Sequence, residues 1–178
     1  MADWTTYRWV EDAIESTIAV VPGAAAPLER LGRVDEHGAM DLGAAMELQN
    51  GFYADDTFAE RAVIQAGRLG DAWGLVEPNG FRARSAETLT ALAAGGRAGS
   101  LFWNVNGMMV LLLVDGGEVV AELDPLLGPV PPGAHDLPFD DQPGASAMAL
   151  LTRHTGVAID ESWFLGEKPT YVVHVPMG

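Results

Sequence analysis

The stretch Arg97-Ala-Gly-Ser-Leu-Phe-Trp-Asn-Val-Asn-Gly-Met-Met-Val-Leu-Leu-Leu-Val-Asp-Gly-Gly-Glu-Val-Val-Ala-Glu-Leu-Asp124 decides the fold. It reads as three successive β-strands. The first alternates, with Leu101, Trp103 and Val105 on one side and Phe102, Asn104 and Asn106 on the other. The middle strand, 108–114, is apolar without interruption. Such a strand needs cover on both faces, or on one face with neighbours shielding the other. Asp115-Gly116-Gly117 suits a tight connection to the third strand. There Val119, Ala121 and Leu123 face one way, while Glu118, Glu122 and Asp124 surround Val120 on a wetter side.

Moving outward toward the N-terminus, a helix is signalled by Ser85 as N-cap, Glu87 in the first turn, Leu89 and Leu92 as core positions and Gly95-Gly96 as the stop. Before it, Glu77-Pro78-Asn79-Gly80-Phe81 is turn chemistry, because Pro78 fixes φ and Gly80 accepts φ > 0. That turn follows a β-hairpin of 60–69 and 71–76, which turns at Gly70-Asp71 and has Trp73, Leu75 and Glu77 on one side of its second strand. Between 33 and 56 the pattern is weakest. Leu42, Ala45, Met46 and Gln49 suit a helix from Asp41, Asn50-Gly51 marks a turn, and Asp55-Asp56 forms an acidic pair. Earlier still, Pro27 opens a short helix over 28–31 and 17–21 forms a short buried strand. Trp4, Tyr7, Val10 and Ile14 mark an amphipathic helix with Asp3 as its N-cap.

In the other direction, 125–143 holds six prolines and reads as a loop, long for a compact domain. It carries His135-Asp136 and Asp140-Asp141. Helix resumes over 145–154 and Gly156 stops it, Asp160 caps a turn bearing Trp163 and Phe164, and 170–175 closes as a strand. No repeat or linker divides the chain, so 1–178 is expected to be a single α+β domain. The expected architecture is an antiparallel sheet of about five or six strands with helices packed mainly on one face.

The totals exclude several classes of function. Twenty-five acidic residues against ten basic ones leave a formal charge of −15, which repels nucleic-acid phosphates and anionic lipids and attracts basic partners. A single lysine, Lys168, against nine arginines reads as genomic background. Without cysteine there is no disulfide and no thiol catalysis. No apolar run approaches the ~18 residues of a membrane span, and the start of the chain lacks the basic and apolar segments of a signal peptide, so a cytoplasmic location is expected.

Chemistry-bearing motifs are absent. His37, His135, His154 and His174 have no i,i+4 pairing and no metalloprotease spacing. Ser100 and Ser146 fail the nucleophile-elbow pattern, and the glycine pairs lack both the P-loop and the dinucleotide pattern. Asp55-Asp56 has no calcium-loop spacing and reads as a solvated acidic loop. The one polar constellation is Glu77, Asn79, Asn104 and Asn106, at strand ends beside Trp73 and Trp103. Amides and a carboxylate there suit a ligand with several hydrogen-bonding groups, while the same residue types also tie down turn backbones.

Trp73-Gly-Leu-Val-Glu-Pro-Asn-Gly-Phe81, the capped helix after it and Phe102-Trp-Asn-Val-Asn106 resemble an actinobacterial family of small domains of unknown function. The resemblance extends over most of the chain, and its specific part is the Glu-Pro-Asn-Gly-Phe and Trp-Asn-Val-Asn pair. Gly107-Met108-Met109 departs from the family pattern by opening a very apolar strand. No activity comes with the resemblance. It implies a fold and adds no chemistry.

The expected function is therefore a non-catalytic acidic protein engaging a basic protein partner, as an immunity protein or an inhibitor of a toxin or nuclease does. No catalytic residue, metal or cofactor is assigned, and neither nucleic acid nor membrane is an expected partner. The residues named for binding are Glu77, Asn79, Trp103, Asn104, Asn106, Asp55, Asp56, Asp140 and Asp141. One alternative is a small-molecule-binding or enzymatic domain using the Glu77/Asn79/Asn104/Asn106 cluster. Another is an accessory subunit docking through its apolar sheet.

Overall fold

A computed structural model describes residues 3–23, 27–80 and 82–174, so Phe81 of the quoted turn and Val175 of the final strand lie outside the described residues. In chain order the elements are β1 (Ser16–Pro22), β2 (Arg33–Met40), α1 (Leu42–Ala54), β3 (Arg61–Leu69), β4 (Ala72–Pro78), α2 (Ala86–Ala93), β5 (Ala98–Trp103), β6 (Met109–Asp115), β7 (Glu118–Leu123), α3 (Pro143–Thr155), α4 (Glu161–Leu165) and β8 (Lys168–His174). Three 3-10 helices occupy Trp4–Asp12, Pro27–Arg30 and Arg82–Arg84. The strands form one sheet in the order β2-β8-β3-β4-β1-β5-β6-β7. Every pairing is antiparallel.

The mixed class and the antiparallel sheet agree with expectation, but the sheet has eight strands where five or six were expected. The strand without a sequence signal is β2. It is an edge strand, mostly exposed, so no apolar alternation announces it. Among the described residues its one strand partner is β8, which lies between β2 and β3.

Two-sided cover explains the uninterrupted apolar run of β6. Leu111 and Leu113 pack in one core with Met148 and Leu151 of α3, Phe164 of α4, and Tyr7 and Val10 of the first 3-10 helix. Leu112 and Val114 face the opposite way, into a core with Leu89 and Leu92 of α2 and Leu28. Helices thus cover both faces, not mainly one, because a strand buried on both sides leaves neither face bare. At Gly99 of β5 the approach of α3 is so close that a Cβ would overlap Leu151 Cδ1.

Two local readings change for physical reasons, and the loop reading of 125–143 stands with added detail. Trp4, Tyr7 and Val10 recur every third residue, which is the period of the 3-10 helix formed there, and Ile14 stays exposed. Asp3 caps that helix, accepting from Thr5 N at 3.0 Å. Helix α1 runs straight through Asn50-Gly51, where a turn was expected. Gln49 anchors it by accepting from Val63 N at 2.8 Å, and Phe52 is buried against β3 and β8. The proline-rich segment is free of helix and strand until α3 begins at Pro143, yet Ala134, Leu137 and Phe139 are buried in the core. Its Asp136 pairs with Arg153 of α3.

Candidate functional site

The antiparallel register gathers the start of β1, β3 and β6 and the close of β4, β5 and β7 at one end of the sheet. Ser16 stands between Pro78 and Trp103, and Trp103 is opposite Met109. The turns that leave this end carry most of the residues named from sequence, and each has an identifiable local task.

Glu77 is 2 % exposed. Its Oε2 accepts from Arg82 N at 2.9 Å and its Oε1 from Ala83 N at 2.7 Å, so both oxygens close the turn that follows. Burial pushes its carboxyl above the usual range, against the amides of Ala83 and Arg82 and the nearby Arg82 charge, which pull it down. The Arg82 guanidinium donates to the carbonyls of Phe58 and Ala59, each at 2.9 Å. Tyr53 donates to Asn79 O at 2.9 Å, and burial together with Glu15 and Glu77 raises its phenol. The cavity among Gln49, Tyr53, Arg61, Glu77 and Arg82 measures about 10 Å³, room for about one water.

The asparagines are similarly engaged. Asn79 sits in the left-handed region with φ +48°, donates its backbone N–H to Glu15 O at 3.0 Å and reaches Asn50 Oδ1 with its side-chain amide at 3.0 Å. Asn104 Oδ1 accepts from Asn106 N at 3.0 Å and Met108 N at 3.1 Å, which shapes the β5–β6 turn. Asn106 is exposed. Trp103 is buried and donates from Nε1 to Ala13 O at 3.2 Å. The four polar residues therefore share one end of the sheet without converging on a common point. Glu77 lies on the α2 face with Leu75, while Asn104 and Asn106 organise a separate turn.

Of the carboxylates named from sequence, Asp55 caps the C-terminus of α1 and Asp56 follows it at φ +56°. Asp140 and Asp141 precede α3. All four are exposed. Glu11 Oε1 accepts from Ala145 N at 2.9 Å, which brings the start of α3 to the segment leading into β1. Among the described residues no group of three or more His, Asp or Glu side chains is placed to hold a metal ion. His154 contacts Val114 O at 2.8 Å, and His174 contacts Asp35 at 2.7 Å.

The same end holds a cleft of about 300 Å³ that the sequence reading did not anticipate. Trp103 and Asn104 line it, together with Glu11, Glu15, Val105, Met108 and Leu126. Glu15 is fixed there by accepting from Val105 N with Oε2 at 3.3 Å. Glu11 and Glu15 are four apart, a spacing that says nothing about a cleft until the β5–β6 turn folds beside them.

Most of the cations are held within the fold. Arg30 and Arg68 donate to the carbonyls of Leu92 and Gly23, as Arg82 does to those already described. Arg61 and Arg84 lie over the rings of Phe52 and Phe102. Lys168 donates to the carbonyls of Trp163, Phe164 and Gly166 at the end of α4, and burial pulls its ammonium down to about 8. Among the described residues Arg33, Arg97 and Arg153 form ion pairs, with Asp35, Asp115 and Asp136. Glu77 lies near Arg82, and most of the other carboxylates among the described residues form no ion pair, so the excess of acid stays on the surface. Among these residues, too, no helix is long and apolar enough to cross a membrane.

No curated protein and no solved structure matches the sequence. A family profile does match, over residues 4–135, a span that takes in the first seven strands, the turn closed by Glu77 and the cleft beside Trp103. The chain belongs to that family, DUF6461, a family of unknown function.

Proposed function

We propose that this chain is a non-catalytic binding protein that engages a basic protein partner through its acidic surface, in the manner of an immunity protein or a toxin or nuclease inhibitor, and that it works in the cytoplasm. One observation carries the reading. The arginines and the lysine are mostly engaged with carbonyls and rings of the chain itself, so the −15 charge is left largely uncompensated at the surface. Exposed carboxylates of this kind speed and select association with a basic partner more than they add raw affinity. A Glu77-centred ligand site is the weaker reading, because both Glu77 oxygens are held by backbone amides and the adjoining cavity has room for about one water.

The test is affinity capture from host lysate at low and at high salt, with the retained proteins identified by mass spectrometry. A basic protein retained at low salt and released at high salt is the expected result. Changing Asp55, Asp56, Asp140 and Asp141 together to Asn should weaken that capture, and Asn suits the left-handed Asp56 position. Capture that ignores salt, or no enrichment at either salt, overturns the reading.

A further inference from the structure

The 300 Å³ cleft between the first 3-10 helix and the β5–β6 turn combines three properties seldom met together on a protein surface. Its rim is apolar and solvent-facing: Val105 is 81 % exposed, Met108 43 % and Leu126 42 %. Large apolar side chains that remain exposed around a concavity mark a site where another surface docks. Trp103, itself buried, lines the cleft. Its wall carries two carboxylates, each fixed by one oxygen, Glu11 Oε1 to Ala145 N and Glu15 Oε2 to Val105 N. Among the described residues the second oxygen of each has no hydrogen-bond donor. Among the described residues no cation lines the cleft; Arg84 reaches the Met108 sulfur at 3.1 Å while lying over Phe102.

We propose that this cleft is the anchor pocket for an arginine side chain of the protein partner, presented on a segment with apolar neighbours. The proposal rests on the acidic-binding reading above and deepens it by naming where and how the partner is gripped. A guanidinium fits these groups better than an ammonium. It is weakly hydrated, so it loses less on entering an apolar-rimmed cleft, and its planar fork offers separate N–H groups to the free oxygens of Glu11 and Glu15. Its aliphatic stem would lie along Val105, Met108 and Leu126, as long cationic side chains do on apolar surface. Because backbone amides already orient both carboxylates, little side-chain entropy is lost on binding.

The experiment uses the full chain and a defined probe, the acetylated and amidated pentapeptide Gly-Leu-Arg-Leu-Gly, titrated while backbone amide NMR shifts are followed. Three companion peptides carry citrulline, lysine or alanine at the centre. The expected result is saturable shifts at the amides of Ala13, Val105 and Met108, with the arginine peptide tightest and the neutral citrulline isostere roughly tenfold weaker or undetectable. Glu11→Gln with Glu15→Gln keeps an acceptor for each anchored amide and should weaken the arginine peptide by about the same factor. Val105→Lys changes a side chain that is 81 % exposed and so leaves the fold intact, and it should abolish the site by charge repulsion. Asp71→Asn with Glu118→Gln removes the same charge at the other end of the sheet and should change little.

Shifts scattered over the whole acidic surface, equal loss in the two double variants, or arginine and citrulline peptides of equal strength would overturn the anchor pocket. Absence of peptide binding would do so as well. None of these outcomes touches the lysate capture. A salt-sensitive basic partner that binds Val105→Lys unchanged would sink the pocket and keep the broader reading, whereas loss of any basic partner sinks both.

Discussion

A carboxylate as buried as Glu77 persists only where its oxygens are satisfied, and here two backbone amides satisfy them. Glu77→Ala would leave both amides without an acceptor and should cost roughly 2–5 kcal/mol, measured by chemical denaturation. The pH dependence has a definite sign. Burial raises the Glu77 carboxyl in the folded chain above its ordinary 4.5, so above that pH the folded state holds the proton longer than the unfolded one. Stability then falls as pH rises from 4.5 through the raised value. Glu77→Gln should lack that slope, so the difference in stability between the two proteins should change with pH across that window; parallel curves would show that Glu77 does not titrate there. Residue types at this end of the sheet were legible in sequence, and so was the turn chemistry of Pro78, Asn79 and Gly80. Direction was not. Strand alternation sends Glu77 to the α2 face, while Asn104 opens a turn, and a list of polar residues holds no information about which of them converge.

At the scale of elements, the sequence was most readable where packing and local chemistry agree. The β3–β4 hairpin, the β5–β6–β7 meander and the Ser85-capped helix α2 all formed where alternation, turn residues and caps pointed together. It was least readable where tertiary contact decides. Strand β2 pairs in the sheet with β8 among the described residues, and α1 crosses Asn50-Gly51 because Gln49 and Phe52 are anchored on β3. Another such contact joins α4 to the hairpin. Gly67 and Gly74 are paired across β3 and β4, and the Trp163 indole lies over both. A Cβ on Gly74 would stand 2.6 Å from both Trp163 Cζ2 and Leu69 Cδ1. Gly74→Ala should therefore destabilise the protein by about 1–3 kcal/mol through overpacking. In a Trp163→Ala background the same change should cost markedly less, because the obstructing ring is gone. Urea denaturation of the four proteins in this cycle measures the coupling, and additive costs would mean that Trp163 is not what excludes a side chain at Gly74.

For the molecule as a whole, the position of β8 ties the two ends of the chain together. It is last in sequence yet lies between β2 and β3, bonded to both. Removing the chain from 168 onward would strand β2, expose one edge of β3 and delete the Lys168 ammonium that holds the end of α4. The truncated chain should fail to give a cooperative thermal transition by circular dichroism, whereas the full chain should unfold in one step as a single domain. Charge acts over the same scale. Carboxylates without cations beside them repel one another, and this repulsion disfavours the compact state. Salt screens it, since the Debye length shrinks from about 30 Å at 0.01 M to about 8 Å at 0.15 M. The three ion pairs that salt would weaken each have at least one exposed partner, so their loss is a small opposing effect. The melting temperature should accordingly rise with sodium chloride over that range, and the rise should be smaller when Asp55, Asp56, Asp140 and Asp141 are all changed to Asn. A melting temperature that falls with salt would mean that the acidic surface is balanced internally, and the physical basis for attracting a basic partner would go with it.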